Sequence, residues 1–154
     1  MAIQVGDKAP NFDFPLKDGS QTSLQGLLQK KKAVVLYFYP KDETPGCTAQ
    51  ACSFRDSYES FSQAGAEVIG VSSDSASSHD AFAAHHRLPF TLVSDEKESL
   101  RELYGVPRSM LGLLPGRVTY VIDSGGVVRH VFNSQLNAKK HITEALDVIK
   151  RLGA

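Results

Sequence analysis

Residues 33–52 read AVVLYFYPKDETPGCTAQAC and contain the clearest fold signals of the chain. Its first part, Ala33–Tyr39, is a continuous apolar run rich in β-branched and aromatic residues, which is typical of a strand buried on both faces. Pro40 ends the strand. A helix is expected from about Thr48 to Gln63, because apolar residues recur there every three or four positions. A buried strand that leads through a short loop into a helix predicts an α/β protein.

Further strands and helices are predicted on both sides of this stretch. Residues 10–24 alternate apolar and polar side chains around Asp18-Gly19, the pattern of a β-hairpin. Strands are expected at Glu67–Val71, Phe90–Val93, Arg117–Asp123 and Val127–Phe132, and helices from Ser77 to the closing residues His86–Pro89, over Asp95–Tyr104 and over Ala138–Leu152. Right-handed βαβ crossovers followed by an antiparallel hairpin give a mixed central sheet with helices on both faces. This is the layout of the thioredoxin-like fold, here with an N-terminal β-hairpin extension.

The composition limits the domain organisation and the partners. With 154 residues, 42% of them hydrophobic, we expect a single domain over residues 1–154. Lys plus Arg and Asp plus Glu number 17 each, which argues against nucleic-acid and membrane-surface partners because these favour a basic excess. The longest apolar stretch is far shorter than the roughly 20 residues of a membrane span. The first residues lack the pattern of a secretory signal, so we expect a soluble chain.

The two cysteines, Cys47 and Cys52, form a local pair and not a disulfide framework. A disulfide between residues so close in sequence closes almost no loop, so it would add little stability. Thiol chemistry is the better explanation of the pair.

The position of Cys47 favours a reactive thiolate. It follows the carboxyl end of a buried strand, where α/β folds place ligands, and it lies at the start of a helix, whose free N–H groups favour an anion. Thr44 can place a hydroxyl beside the sulfur. Pro45 and Gly46 constrain the loop and let backbone N–H groups approach a small ligand.

Pro40, Thr44 and Cys47 match the P-x-x-x-T-x-x-C active-site motif of peroxiredoxins, and the string from Thr44 to Cys52 resembles the PrxQ (bacterioferritin comigratory protein) subfamily. The similarity spans roughly residues 3 to 150. It continues through Phe54-Arg55-Asp56, Glu67–Ser72, Leu88-Pro89-Phe90 and Gly116-Arg117.

The resemblance implies a role for each matched residue. Cys47 would be the peroxidatic cysteine, which attacks a peroxide oxygen and becomes a sulfenic acid, and Cys52 the resolving cysteine. Arg117 would stabilise the thiolate and polarise the peroxide. Thr44 would hydrogen-bond the peroxide and the sulfur, and Pro40 would shield the thiolate. The expected peroxide-binding residues are therefore Pro40, Thr44, Gly46, Cys47 and Arg117; Gln50 is a polar neighbour without an assigned role.

The resemblance also implies the activity: a thiol-dependent peroxidase for hydrogen peroxide and organic hydroperoxides, acting in antioxidant defence and redox homeostasis. An intramolecular Cys47–Cys52 disulfide would be recycled by thioredoxin, with glutaredoxin as the alternative. No cofactor is implied. We expect a monomer in the cytoplasm, or in a plastid if a transit peptide has been removed.

The spacing of the two cysteines adds a geometric condition. In a continuous helix their Cα atoms would lie about 8.6 Å apart and point about 140° apart, whereas a disulfide requires Cα atoms within about 7 Å. We therefore expect the first turn of the helix to unwind, over residues 45–55, before Cys52 reaches the sulfenic acid.

Other interpretations remain open at this point. A thioredoxin-like disulfide exchanger would normally carry Cys-x-x-Cys, and a redox sensor or chaperone-like module could use the same reactive cysteine. His79, His85 and His86 suggest a metal site, but the last two are expected on different helix faces, so we predict none. Met110–Leu114 is either core or an apolar collar around the active-site mouth.

Overall fold

The apolar run that begins at Ala33 forms the central strand of the sheet. The computed structural model describes residues 3–106, 116–134 and 137–152, the side chain of Ala138 excepted. Its strands are β1 (Asp13–Pro15), β2 (Gln21–Ser23), β3 (Ala33–Phe38), β4 (Ala66–Ser72), β5 (Thr91–Ser94), β6 (Val118–Asp123) and β7 (Val128–Asn133). Its helices are α1 (Leu24–Leu28), α2 (Pro45–Asp56), α3 (Tyr58–Gln63), α4 (Ala76–His86), α5 (Ser99–Leu103) and α6 (Ala138–Leu152).

The five-stranded sheet has the order β5-β4-β3-β6-β7. Strand β3 is parallel to β4 and β4 to β5, while β6 is antiparallel to both β3 and β7. Strands β1 and β2 form a separate antiparallel hairpin. The predicted mixed sheet, the thioredoxin-like fold and the N-terminal hairpin are confirmed.

Side chains of β3 alternate between two apolar layers, as the pleat requires. Val35 and Tyr37 belong to the layer that includes residues of α2, α3, α4 and α6. Val34, Leu36 and Phe38 belong to the layer on the opposite face, with residues of α1, α5 and the β1–β2 hairpin. Because all six residues of β3 are buried, the strand fixes the position of the loop that follows it.

The structure differs from the predicted elements at several places. The single helix expected to Gln63 is two helices, since Ser57 leaves helical geometry at φ −101° and ψ 3°. Asp and Ser compete with the helix backbone for hydrogen bonds, which favours a break there. Helix α1 was not predicted; Ser23 caps it by accepting from the N–H of Gly26. Helix α5 begins later than expected, because the Asp95 carboxylate accepts from two backbone N–H groups of its first turn.

None of the helices within the described ranges has the length and apolar character that a membrane crossing needs.

Candidate active site

Cys47 is the third residue of α2 and is only 1% exposed. The helix begins earlier than predicted, at Pro45, whose fixed φ suits the first helical position. The first N–H to donate within this helix belongs to Thr48, which bonds the Thr44 carbonyl at 2.8 Å. The N–H groups of Gly46 and Cys47 therefore have no intrahelical acceptor, and their partial positive charge lies beside the sulfur.

Arg117 places a permanent cation against Cys47. Its Nη2 lies 3.3 Å from the Cys47 Sγ and its Nη1 donates to Gln50 Oε1 at 2.5 Å. The pairing of Phe38 with Val118 brings the end of β3 next to the start of β6, and so brings these residues together from distant parts of the chain. Arg117 is only 3% exposed, so its charge is weakly screened by water.

Gly46 makes room for this guanidinium. A Cβ atom at this position would lie 3.0 Å from Arg117 Nη2. The sequence suggested Gly46 for the approach of its backbone to a ligand; the structure adds that the absence of a side chain lets Arg117 reach the helix N-terminus.

Thr44 and Pro40 lie on the loop before Cys47. Thr44 is the N-cap residue of α2, but its hydroxyl donates to the Lys41 carbonyl at 2.8 Å and makes no side-chain cap bond. A hydroxyl that donates one hydrogen bond keeps lone pairs with which to accept another. Pro40 is half-buried at the start of the loop.

Cys52 is half-buried on the same helix, and both thiols are free. Helix α2 is continuous from Pro45 to Asp56, so the predicted helical segment between the cysteines is present. The structure brings Cys47, Gly46, Gln50 and Arg117 together and leaves Cys52 further along the helix.

Arg101 is a buried residue that sequence reasoning missed. It donates through Nη1 to the Gly116 carbonyl at 2.8 Å and through Nη2 to the Tyr39 carbonyl at 3.0 Å. It thereby joins the end of β3 to the residue before Arg117. No pattern in the sequence distinguishes it from an ordinary surface arginine.

Asp42 and His79 form a buried pair that holds the loop before Cys47. Asp42 accepts from His79 Nδ1 at 2.7 Å, from the Tyr39 hydroxyl at 2.6 Å and from the Ser78 hydroxyl at 2.8 Å. His79 Nε2 lies 3.0 Å from the Val93 carbonyl. Because a carboxylate and a carbonyl only accept, both ring nitrogens carry protons.

The charges of this pair stabilise each other. Burial alone would lower the pKa of His79, but the hydrogen bond and charge of Asp42, with the Val93 carbonyl, outweigh it and raise the pKa. Burial would raise the pKa of Asp42, but its bonds to His79, Tyr39 and Ser78 and the charge of His79 lower it. An imidazolium–carboxylate pair therefore connects the loop to α4.

Two buried polar atoms next to the site have no hydrogen-bond partner among the described residues: the Tyr37 hydroxyl and Gln50 Nε2. Burial, and then the neighbouring Cys47, raise the pKa of Tyr37 well above its ordinary value, so the phenol stays neutral. The Gln50 amide uses its oxygen on Arg117 and leaves its N–H donors available.

His85 and His86 are consecutive residues of α4, and their side chains are 66% and 17% exposed, as expected for different helix faces. Both rings nevertheless reach the Glu43 carboxylate, at 2.8 Å each, so the difference in face does not keep them apart. The predicted role of Met110–Leu114 lies outside the described residues.

The chain belongs to the AhpC/TSA family, whose model matches residues 5–131. Within that family it is similar to proteins named Peroxiredoxin Q, chloroplastic. The one from Triticum aestivum is 55% identical over 150 residues, which cover 97% of this chain and 68% of the relative.

Solved structures agree with this placement. The peroxidoxin BcpB of Mycobacterium tuberculosis has a TM-score of 0.86 and 34% identity, with 97% of each chain covered. The bacterioferritin comigratory protein of Xanthomonas campestris, described for its alkyl peroxide reduction activity, has a TM-score of 0.81 and 32% identity, with 93% of this chain and 92% of that one covered. The resemblance to the PrxQ subfamily is confirmed, and the protein is a thiol-dependent peroxidase whose substrate is a peroxide.

Proposed function

We propose that Cys47 is the peroxidatic cysteine and Cys52 the resolving cysteine, in one domain that acts as a monomer. The observation that carries the proposal is the 3.3 Å contact between Arg117 Nη2 and the buried Cys47 sulfur at the first turn of α2. A guanidinium and free helix N–H groups stabilise an anion at this sulfur, and the thiolate is the nucleophilic form of cysteine.

In the first step the Cys47 thiolate attacks the hydroxyl oxygen of ROOH. The O–O bond breaks, an S–O bond forms, and the leaving alkoxide takes a proton to become ROH or water. Negative charge moves from the sulfur to the leaving oxygen, so donors beside that oxygen lower the barrier, whereas donors beside the sulfur increase the fraction of reactive thiolate. Arg117, the Gly46 N–H and the Thr44 hydroxyl are the donors we assign to this task, while Pro40 limits the access of water.

In the second step the Cys52 thiol attacks the sulfenic acid, the S–S bond forms and water leaves. Since the two cysteines lie on one continuous helix, its first turn has to unwind before their Cα atoms come within about 7 Å. Unwinding breaks the contact between Arg117 and Cys47, which is no longer needed once the sulfur is oxidised.

A dithiol protein then reduces the disulfide through a mixed disulfide. We propose thioredoxin as this reductant, with glutaredoxin as the alternative. Hydrogen peroxide and organic hydroperoxides are both proposed as substrates; the alkyl peroxide activity named for the Xanthomonas campestris relative favours the second class. The chloroplastic relatives favour a plastid location, and the cytoplasm is the alternative.

Steady-state consumption of peroxide, with thioredoxin and its reductase, tests the proposal. We expect turnover with hydrogen peroxide and with an organic hydroperoxide, and none with Cys47→Ser. Replacing thioredoxin by glutaredoxin and glutathione identifies the reductant. Reduction of insulin without peroxide turnover would favour a disulfide exchanger instead, and a single oxidation without a cycle would favour a redox sensor.

A further inference from the structure

A group of metal-ligand side chains lies on the surface beside the active-site loop. His85 Nδ1 lies 2.8 Å from one oxygen of the Glu43 carboxylate, and His86 Nε2 lies 2.8 Å from the other. The two imidazole rings are 4.1 Å apart between centroids. Imidazole nitrogens and a carboxylate are ligands that zinc and similar divalent ions take in proteins.

The distances need little adjustment to accept an ion. The ligand atoms of Glu43, His85 and His86 all lie within 4.8 Å of one another. Two ligands on one tetrahedral zinc, each about 2.1 Å from the metal, lie about 3.4 Å apart. The carboxylate therefore has to withdraw from each ring by roughly half an ångström. The side chains of Glu43 and His85 are 46% and 66% exposed, so they are free to make this movement and an ion can reach them.

The described residues contain a second group of possible metal ligands, Asp42, Asp74 and His79. Its ligand atoms also lie within 4.8 Å of one another, but its histidine has no nitrogen free to bind a metal. Both nitrogens of His79 donate, one to Asp42 and one to the Val93 carbonyl, and the ring is buried. No lone pair of that ring is available for a metal. The exposed group is thus the better candidate of the two.

We propose that Glu43, His85 and His86 form a site for a divalent transition-metal ion of the zinc type, with water in its open position. Glu43 adopts φ 61° immediately before Thr44, the N-cap of α2, whereas His85 and His86 end α4. A metal bound to all three residues would fasten the active-site loop to α4. The ion should therefore oppose the unwinding that precedes Cys47–Cys52 disulfide formation. This last consequence rests on the proposed function.

Zinc binding is measured in a Cys47→Ser/Cys52→Ser background, where no thiolate competes for the ion. Competition with a chromophoric zinc chelator should give one zinc per chain. Glu43→Gln, His85→Ala and His86→Ala should each weaken binding by about tenfold or more. The control is His130→Ala, which should leave the affinity unchanged: His130 on β7 pairs with Glu144 at 3.1 Å, at the sheet edge opposite to β5, against which α4 packs.

Amide hydrogen exchange in the Cys47→Ser/Cys52→Ser background tests whether the bound ion restrains the active-site loop. Zinc should slow exchange at residues 43–49, and it should have no such effect after His85→Ala/His86→Ala. Zinc affinity that is insensitive to the three substitutions, or equally sensitive to His130→Ala, would overturn the site. Site-dependent binding without slower exchange would overturn the fastening of the loop. Neither measurement depends on peroxidase activity, so failure here is distinct from failure of the proposed function.

Discussion

Cys47 and Cys52 lie on one helix and have the same side chain, but their surroundings differ. The Cys47 sulfur is buried at the helix N-terminus and has a guanidinium nitrogen at 3.3 Å. Cys52 is half-buried in the body of the helix, where backbone N–H groups already donate to carbonyls of the preceding turn. From this difference we infer that reactivity toward peroxide depends on the position of the thiol, and each contact of Cys47 can be removed separately to test the inference.

Serine substitutions of the two cysteines should have the largest effects and should distinguish their roles. Cys47→Ser should abolish the reaction with peroxide, because a serine hydroxyl is not ionised near neutral pH. Cys52→Ser should keep the first step and stop after one turnover as a sulfenic acid, or as its over-oxidised products. Rapid mixing gives the rate of the first step, and mass spectrometry with a 1,3-dione reagent identifies the trapped sulfenic acid. Equal loss of the first step in both variants would contradict the assigned roles.

The second-largest effect is expected when the cation that distinguishes Cys47 from Cys52 is removed. Arg117→Met should slow the first step by about 10²- to 10³-fold, the usual cost of losing a donor that stabilises developing charge. Arg117→Lys should remain well below wild type, since the single nitrogen of an ammonium lacks the planar fork with which Nη1 and Nη2 contact Gln50 and Cys47.

Arg129→Met is the matched control, because Arg129 pairs with Asp123 at 2.6 Å and is half-exposed. The control should keep the wild-type rate of peroxide reaction in rapid mixing. A first step in Arg117→Met as fast as in this control would refute the electrostatic explanation of the difference between the cysteines.

A smaller effect is expected from substituting Gln50, whose side-chain oxygen accepts a hydrogen bond from the Arg117 guanidinium. Gln50→Met keeps the volume but removes the oxygen that accepts from Arg117 Nη1. We expect the first step to slow about tenfold, the equivalent of one hydrogen bond to a charged group at about 1.5 kcal/mol. Gln63→Met, on the exposed face of α3, serves as control in the same rapid-mixing assay. An unchanged rate in Gln50→Met would mean that Arg117 holds its position without Gln50.

Much of the fold and the centre of the site could be predicted because their signals are local. The apolar run of β3, the Asp18-Gly19 turn and the Pro40–Cys47 spacing each lie within a short window of sequence. The break at Ser57 was missed because apolar periodicity continues across it, and both Phe54 and Phe61 are buried.

The contacts that could not be predicted join residues far apart in sequence. Arg117 meets Gln50 across 67 positions, and Arg101 meets the Tyr39 carbonyl across 62. His79 meets Asp42 across 37 positions. These contacts depend on strand pairing and on which way a side chain turns at the end of an element, and periodicity carries no information about either.

The smallest effect concerns stability, and it contrasts two buried histidines. His79 holds the loop before Cys47 through Asp42. His141 belongs to α6: its Nδ1 is 2.7 Å from the hydroxyl of Thr119, and its Nε2 is 2.8 Å from the Ser134 carbonyl. Burial, with a smaller effect from the charge of Arg117, lowers the pKa of His141 to about 4, against the opposing effect of the Ser134 carbonyl. His79 is thus charged and His141 neutral in the folded protein.

The two histidines therefore give opposite pH dependences. The folded-state pKa of His79 is raised, so its contribution to stability is complete below the unfolded value of about 6.5 and is lost as the pH rises through the folded value. The folded-state pKa of His141 is lowered, so its contribution is complete above about pH 6.5 and is lost as the pH falls toward about 4. The loss from His141 should amount to about 1 to 3 kcal/mol.

Imidazole ¹⁵N spectra over a pH series measure both groups directly. The resonances of His79 should titrate above pH 6.5 and those of His141 near pH 4, while urea unfolding gives the free energy of unfolding at each pH. His141→Gln should reduce the decline between about pH 6.5 and 4 and leave the acid decline due to carboxylates with lowered pKa values such as Asp42. The decline on the alkaline side should remain, because the Asp42–His79 pair is unchanged. If His141 titrated at an ordinary pH, or if His79 lost its proton below 6.5, the two buried histidines would not be the neutral and the charged ring inferred from their contacts.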